Sequence, residues 1–226
     1  MRAYERLVGS DGKEVMLFPL THLAVTQGEY ETYSHAGILA MDFIEFQSNH
    51  SDRLWSAPLY APCSCKCVAT IDATNNGRIF ESLDKVHTPM GLQYVTFMFF
   101  HDNNPVASVG SVFTQGDVIG HTGTAGGVPD HTHFNTAFGK YAGWENVPPQ
   151  GKGELVNSSH IYDTCYVNDT TILESYGYTW IIYNGGITPV DYTKKKFKWV
   201  LYARHLRDKR YWHFVSFSLY YNQRRI

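Results

Sequence analysis

Two histidines one residue apart, His131 and His133, are the residues of this chain whose types and spacing point most directly to chemistry. They end a glycine-rich run, and the segment from Thr132 to Ala137 has the composition of a strand. Because side chains alternate between the two faces of a strand, both imidazoles are expected to project to the same side. Neutral imidazole is a common metal ligand and also titrates near physiological pH, so one ring can hold a metal while the other moves a proton. A His-x-His pair by itself is as often structural as functional.

Asp42 adds a carboxylate to this set, since it interrupts an apolar run that begins shortly after His35. Burying an ionised carboxylate costs on the order of several kcal/mol unless a cation compensates the charge. His35, Asp42 and one histidine of the 131/133 pair would supply two nitrogens and one oxygen. That composition is frequent in catalytic zinc sites, because it leaves the fourth position open for water.

His101 closes an aromatic run, and after it come a Gln-Gly turn, an Ile-Gly pair, Thr-Gly-x-x-Gly and His-x-His-Phe. In this order the motifs resemble the lysostaphin/LytM-type zinc metalloendopeptidases, which cut peptide bonds in bacterial peptidoglycan. The similarity covers about residues 30 to 140 and includes Ala61-Pro62 ahead of a predicted strand. Several ordered motifs over such a span make a chance match improbable.

The resemblance implies one zinc ion held by His35, Asp42 and His133, with His101 and His131 as catalytic histidines that do not bind it. In this chemistry the metal lowers the pKa of its bound water toward ~7 and polarises the scissile carbonyl. His131 is then the expected general base for the water. His101 is expected to hydrogen-bond the developing oxyanion or to protonate the leaving amine.

The spacing of the first two ligands departs from the family pattern, which puts the histidine and the aspartate four residues apart rather than seven. An odd spacing places His35 and Asp42 on opposite faces of an uninterrupted strand. The chain must therefore turn or bulge between them, and Ala36-Gly37 offers the backbone freedom to do so. Glu45 is the alternative carboxylate ligand. Two smaller departures are the aspartate at position 102 and the asparagine at 135, where the family favours an apolar residue and a glutamate.

The length and composition of the chain favour a β-rich protein. At 226 residues it can bury the core of one ordinary domain with room for a small appendage. Aromatic residues make up 15% of the chain, turn residues recur regularly and long helical periodicity is nearly absent. Strands are predicted at 68–73, 94–100, 111–113 and 132–137. The predicted fold class is mainly β, and the resemblance implies an antiparallel sheet or split-barrel catalytic domain of the lysostaphin/LytM type.

The predicted organisation is a zinc metallopeptidase catalytic domain over residues 1–160, with its motifs in 30–140, and a small basic, aromatic-rich C-terminal element over 161–226. Residues 139–159, which contain a Pro-Pro pair and several glycines, are predicted as a long loop or linker. Residues 194–210 could form a short amphipathic helix, and residues 215–219 alternate like a strand.

Charge divides the chain unevenly. Residues 194–226 contain ten Lys and Arg but one Asp, a net charge of +9, so with −2 for the whole chain the first 193 residues carry −11. The tail also contains nine aromatic residues. One interpretation is a small folded extension with an aromatic core and solvated basic groups. The functional alternative is attachment to anionic wall polymers, whereas nucleic-acid binding is not expected.

Four cysteines are present, and Cys63, Cys65 and Cys67 alternate along a probable strand while Cys165 lies far away in the sequence. Strand geometry spreads the first three sulfurs over about 13 Å, which suits one tetrahedral metal centre poorly. Buried free thiols are therefore the favoured interpretation. A disulfide or a metal clip that involves Cys165 is the alternative.

The functional prediction is a zinc metalloendopeptidase that hydrolyses peptidoglycan, in a cross-bridge or a stem peptide. Residues 1–6 show no secretion signal and no stretch approaches the ~20 apolar residues of a membrane span, so synthesis in a cytoplasm is expected. Such an enzyme needs another route to the wall, which phages supply through a holin-released endolysin or a virion-associated lysin. The alternatives are a catalytically inactive wall-binding or amidase-activating module and a structural virion protein of the same fold.

Overall fold

The structure is a computed structural model that describes residues 6–20, 23–30, 34–46, 53–147, 152–166, 182–183 and 199–200. Most of the predicted C-terminal element, including the strand expected at 215–219, lies outside these residues. Within 194–210 the described pair Trp199 and Val200 forms a short strand rather than part of a helix. No helix in the described ranges has the length and apolar character needed to cross a membrane.

The described chain is built almost wholly from strands, with one helical turn. The helix is α1 (Ile161–Thr164). The strands are β1 (Leu23–Gln27), β2 (Ala40–Phe46), β3 (Arg53–Leu54), β4 (Pro58–Tyr60), β5 (Cys65–Ile71), β6 (Gly77–Ser82), β7 (Val86–Thr88), β8 (Gly91–Gln93), β9 (Val95–Phe100), β10 (Val112–Phe113), β11 (Val118–His121), β12 (Thr132–Phe138), β13 (Trp144–Val147), β14 (Lys152–Leu155), β15 (Ser158–Ser159), β16 (Ile182–Tyr183) and β17 (Trp199–Val200).

Nine of these strands form one sheet in the order β1-β2-β12-β9-β6-β5-β10, with β3 beside β2 and β15 beside β12. All the pairs in this sheet are antiparallel. The prediction of a mainly β, antiparallel fold is therefore confirmed. The four predicted strands are present as β5, β9, β10 and β12, although β5 begins at Cys65 and not at position 68.

The central strand β12 divides its side chains between two environments. Phe134 joins an aromatic cluster on one face, where its ring stacks on Phe99 with the centroids 5.1 Å apart and contacts Phe43 at 5.8 Å. His133 and Asn135 alternate with Phe134 and are also buried. Because alternate residues of a strand share a face, these two polar side chains lie on the side opposite the aromatic cluster. The sheet thus carries the main apolar core on one face, and on the other it carries buried polar groups beside a second, smaller apolar cluster.

The predicted linker at 139–159 is wrong. Strands β13 and β14 form a hairpin within it, and β15 extends the main sheet by pairing with the C-terminal half of β12. Leu155 is buried against the sheet together with Ile79, Met98 and Phe100. The described part of this segment therefore forms short paired strands rather than a connection between domains.

Burial continues beyond residue 160, because Ile161 and Cys165 belong to the main hydrophobic core and Tyr166 packs on Val15 and Leu17. All four cysteines are free and buried, as predicted. Burial raises the pKa of the Cys63 thiol well above its ordinary value and that of Cys165 to about 12. These thiols are therefore packed as small apolar side chains.

Candidate metal centre

His35, Asp42 and His133 come together at one end of β2 and β12. Asp42 and His133 are direct neighbours in the antiparallel register of the two strands. Asp42 Oδ1 lies 3.1 Å from His35 Nε2 and 3.1 Å from His133 Nδ1, and the two imidazole nitrogens are 3.2 Å apart. Within the described ranges this is the group of His, Cys, Asp and Glu residues whose ligand atoms are close enough to hold a metal ion. Glu45, the alternative carboxylate, is buried but is not in the group.

A tight turn brings His35 to Asp42 despite their odd spacing. Ile38 donates its N–H to the carbonyl of His35 at 3.1 Å, and Gly37 at the third position of this turn has a φ of 86°. Such a left-handed position in a four-residue turn is typical of glycine. The predicted turn at Ala36-Gly37 is therefore confirmed, and it reverses the chain immediately before β2 begins.

Hydrogen bonds fix which nitrogen of His35 faces the site. Its Nδ1 lies 2.9 Å from the carbonyl oxygen of Gly28, and since a carbonyl can only accept, Nδ1 carries the proton. In the neutral ring Nε2 then presents a lone pair to Asp42 and His133. The His133 ring is held differently, since it stacks on Phe100 with centroids 5.2 Å apart and its buried Nε2 has no hydrogen-bond partner within the described ranges.

The electrostatics of the three groups suit a cation. Burial alone would raise the pKa of Asp42, but the charge of His35 and the hydrogen bond with His133 outweigh it and hold that pKa well below its ordinary value. Burial lowers the pKa of His133, which favours the neutral ring. A carboxylate and two neutral imidazole nitrogens within van der Waals contact of one another repel unless a proton or a metal lies between them. Two nitrogens and one oxygen are a common donor set for zinc, so the residues present fit such an ion.

His101 lies beside this group on a strained backbone. Its φ is 82°, a value that non-glycine residues rarely adopt. The backbone is held there because its N–H donates to the carbonyl of Asn75 at 2.7 Å and its carbonyl accepts from the N–H of Ala125 at 3.0 Å. A side chain at Gly123 would lie 2.2 Å from the His101 carbonyl oxygen, which explains a glycine at this position of the Thr-Gly-x-x-Gly motif.

The protonation of His101 is set by its surroundings. Its Nδ1 donates to the carbonyl of Ala125 at 2.8 Å, so Nε2 is the unprotonated nitrogen of the neutral ring. Burial, with a smaller contribution from His131, lowers the pKa of His101 to about 3. The ring therefore stays neutral at physiological pH.

His131 faces both His101 and Asp42. Its ring centroid is 4.5 Å from that of His101, and its Nε2 is 3.6 Å from Asp42 Oδ2. Its Nδ1 donates to the carbonyl of Pro129 at 2.6 Å, which again leaves Nε2 as the free nitrogen of the neutral ring. His131 and His133 thus reach the two oxygens of the same carboxylate, so the pair projects to one side of β12.

The neighbour of His131 holds this loop in place. Asp130 is buried, and its two carboxylate oxygens accept hydrogen bonds from the hydroxyl of Thr122 at 2.9 Å and from the backbone N–H of Ser56 at 3.0 Å. Arg53 adds an ion pair to Asp130 at 3.3 Å. Sequence reasoning missed Asp130, although a carboxylate directly before a His-x-His pair was a signal available to find it.

The structure thus places all five predicted site residues within one cluster: three groups whose donor atoms converge, His131 beside Asp42, and His101 in contact with the His131 ring. Sequence reasoning also missed the role of Gly28, whose carbonyl orients His35, and the roles of Asn135 and Glu154, which hold the segment between His35 and Asp42. No spacing rule identifies these contacts, since each depends on how distant segments pair.

No family model matches the chain. Morphogenesis protein 1 of Bacillus phage B103 is 32% identical over 174 residues, which are 76% of this chain and 45% of that protein. The chain therefore spans less than half the length of this curated relative.

Similar solved structures include two peptidases and a prophage-encoded M23 protein. The catalytic domain of lysostaphin from Staphylococcus simulans is 19% identical, with 54% of this chain and 84% of that chain covered and a TM-score of 0.36. The catalytic domain of a prophage-encoded M23 protein from Enterococcus faecalis is 12% identical, with coverages of 55% and 91% and a TM-score of 0.40. A zinc containing peptidase from Vibrio cholerae is 15% identical, with coverages of 56% and 37% and a TM-score of 0.41.

Proposed function

We propose that the chain is a zinc-dependent endopeptidase that hydrolyses peptide bonds in bacterial peptidoglycan. The observation that carries the proposal is the convergence of His35 Nε2, Asp42 Oδ1 and His133 Nδ1 within 4.8 Å of one another, beside two further histidines. Three protein donors leave a coordination position for water or substrate, which is the arrangement of catalytic rather than structural zinc. The ordered motifs that resemble the lysostaphin/LytM-type enzymes supply the expected substrate class.

In this proposal His35, Asp42 and His133 hold one zinc ion. When bound, the ion would lower the pKa of a water molecule toward ~7 and polarise the scissile carbonyl. The chain's own contribution is to lower the pKa of His133 by burial, which favours its neutral ring, and to exclude bulk water from three side chains that are all at least nine-tenths buried.

His131 is the proposed general base. Its free Nε2 can accept a proton, and Asp42 Oδ2 at 3.6 Å would stabilise the imidazolium that results. His101 begins the reaction as a neutral ring whose Nε2 is an acceptor, so it needs a proton before it can donate to an oxyanion or to the leaving amine. Contact between the two rings, with centroids 4.5 Å apart, offers a short route for that proton.

The curated relative adds a biological setting. Its printed name makes it a morphogenesis protein of a Bacillus phage, so we propose that the present chain is also phage-encoded and acts at the bacterial cell wall. This name favours a place in the virion over a holin-released lysin. It also supports a second candidate function, in which the chain is a structural virion protein that keeps the fold without the chemistry.

Loss of turbidity of purified Gram-positive walls, with and without a chelator, tests the proposal. A zinc endopeptidase should clear the walls, stop on chelation and resume when zinc is restored. Binding to walls without clearing would indicate an inactive wall-binding module, and neither binding nor clearing would favour the structural virion protein. Mass spectrometry of the released muropeptides would identify the bond that is cut.

A further inference from the structure

The backbone of Leu39 lies between two of the proposed zinc ligands, three residues before Asp42 and four after His35. Both of its polar groups are bound by side chains from elsewhere in the sequence. Its carbonyl oxygen accepts from Asn135 Nδ2 at 2.6 Å, and its N–H donates to Glu154 Oε2 at 3.0 Å. We infer that Asn135 and Glu154, here called the Leu39 clamp, are positioning residues that set the distance between His35 and Asp42. The inference rests on the proposed zinc site.

The register of the sheet explains why the Leu39 backbone needs such support. Asn135 is opposite Ala40, the first residue of β2, and it is two residues beyond His133 on the same face of β12. Leu39 therefore lies just past the end of the backbone ladder. The Asn135 amide replaces the missing ladder bond and continues the pairing of β2 with β12 by one residue, toward the turn that carries His35.

The orientation of the Asn135 amide is fixed by its partners. The side chain is buried, and its Oδ1 accepts the N–H of Leu155 at 2.8 Å while its Nδ2 donates to Leu39. Because one partner is a donor and the other an acceptor, the opposite amide orientation would lose both hydrogen bonds. Asn135 thus connects β14 with the ligand-bearing segment.

Glu154 completes the clamp from β14 itself. Glu154 directly precedes Leu155, whose N–H donates to Asn135. The two side chains that bind Leu39 are therefore linked to each other through β14. The β13–β14 hairpin therefore acts on the metal centre without contributing a ligand. Partners that orient the ligands of a metal site commonly change metal affinity or activity by about 10- to 100-fold when they are removed.

The experiment uses chelator competition to compare the zinc affinities of variants of the 226-residue chain. Glu154→Ala removes the acceptor for the Leu39 N–H and should weaken zinc binding by about 10- to 100-fold, whereas Glu154→Gln keeps an acceptor oxygen and should restore most of it. Asn135→Asp keeps an acceptor for Leu155 but puts a carboxylate oxygen against the Leu39 carbonyl, so it should weaken binding as Glu154→Ala does. The visible absorption of bound Co²⁺, which reports coordination geometry, should change in the same two variants.

Gln115→Ala is the matched control. Gln115 is a buried side-chain amide that also bridges backbone segments, through hydrogen bonds to the carbonyls of Val15 and Pro62, but it touches no proposed ligand segment. Its loss should lower the melting temperature and leave zinc affinity and the Co²⁺ spectrum unchanged. The inference is overturned if Glu154→Ala and Asn135→Asp bind zinc as the wild type does, or if Gln115→Ala loses as much affinity. A wild-type chain that binds no zinc would overturn the proposed function itself.

Discussion

At the scale of single residues, the proposed site depends on which imidazole nitrogen carries a proton. His35, His101 and His131 each donate from Nδ1 to a backbone carbonyl, of Gly28, Ala125 and Pro129 respectively. The Nε2 atoms of His35 and His131 then lie 3.1 and 3.6 Å from the Asp42 carboxylate, and the His101 ring contacts that of His131. Three carbonyls that could be recognised only in the folded chain thus determine whether each histidine can bind a metal or accept a proton.

The ligand assignment predicts that Asp42→Ala loses both stoichiometric zinc and activity, because two imidazoles alone hold zinc weakly and the carboxylate supplies the compensating charge. His35→Ala and His133→Ala should behave in the same way. Metal analysis of the purified variants measures the effect. Glu45→Ala is the control, since Glu45 is a buried carboxylate on the same strand but outside the ligand group. Full zinc occupancy in Asp42→Ala with zinc loss in Glu45→Ala would show that the wrong carboxylate was assigned.

The catalytic assignment predicts a different pattern for the other two histidines. His131→Ala and His101→Ala should retain bound zinc yet lose about 10²-fold or more in rate, if each performs acid-base or oxyanion work. Zinc content and hydrolysis of soluble muropeptides are measured on the same preparations. Zinc loss in His131→Ala together with zinc retention in His133→Ala would reverse the roles of the pair.

At the scale of elements, the sequence allowed the strands and the turn to be predicted but not the pairing that completes the site. Alternating and aromatic runs identified β5, β9, β10 and β12, and the odd spacing of His35 and Asp42 required the turn that Gly37 makes. The segment 139–159 was misjudged because its strands are only two to four residues long and rich in turn residues. Short strands carry little periodicity, and their stability comes from the neighbours they pair with.

The turn before β2 gives a prediction at this scale. Gly37→Ala places a side chain at a φ of 86° with no atom within 4 Å, so its cost is conformational, about 1 kcal/mol or somewhat more in the free energy of unfolding. Zinc affinity should also fall, since the turn sets the approach of His35 to Asp42. Gly12→Ala has the same properties, with a φ of 77° and open space around it, but it lies in a turn remote in sequence from the ligands. Denaturant titration should give similar losses for both variants, and equal zinc affinities would contradict the role of the Gly37 turn.

At the scale of the whole molecule, the core fixes the chemistry of the cysteines. Cys63, Cys65, Cys67 and Cys165 all belong to the main hydrophobic cluster that fills the aromatic face of the sheet. Burial raises the pKa of each of these thiols. The core therefore stabilises the protonated thiols, and the free energy of unfolding should fall as the pH becomes alkaline.

The sign of that linkage is testable with Cys165. Burial, only partly offset by the Thr164 hydroxyl, raises its pKa in the folded chain from 9.0 to about 12. Above pH 9.0 the unfolded chain releases a proton that the folded chain keeps, so this stability is complete below pH 9.0 and is lost as the pH rises toward about 12. Its slope approaches about 1.4 kcal/mol per pH unit for one thiol. Urea titrations from pH 8 to 11 should show a shallower decline for Cys165→Ala than for the wild type, and parallel declines would contradict the prediction.

The basic tail can be tested by removing residues 194–226, which carry a net charge of +9. If the tail attaches the protein to anionic wall polymers, the truncated protein should still cleave soluble muropeptides but bind walls weakly. Wall binding by the full chain should then fall steeply with salt, because exposed charges are screened within about 10 Å at 0.1 M. An insoluble truncation, or one with a much lower melting temperature, would instead place the nine aromatic residues in a folded core. A soluble truncation with unchanged, salt-sensitive wall binding would contradict both interpretations.

The proposed ligands are separated by long stretches of chain, since His35 and His133 are 98 residues apart although their nitrogens are 3.2 Å apart. Contacts of such separation form only after loops of similar length have closed, which is slow and belongs to the final assembly of the sheet. The three proposed ligands would therefore be close enough to bind a metal ion only after the strands have paired in register. Binding of the ion would then slow unfolding and leave the rate of folding nearly unchanged. The bound metal would stabilise the folded sheet against unfolding and would not nucleate its formation.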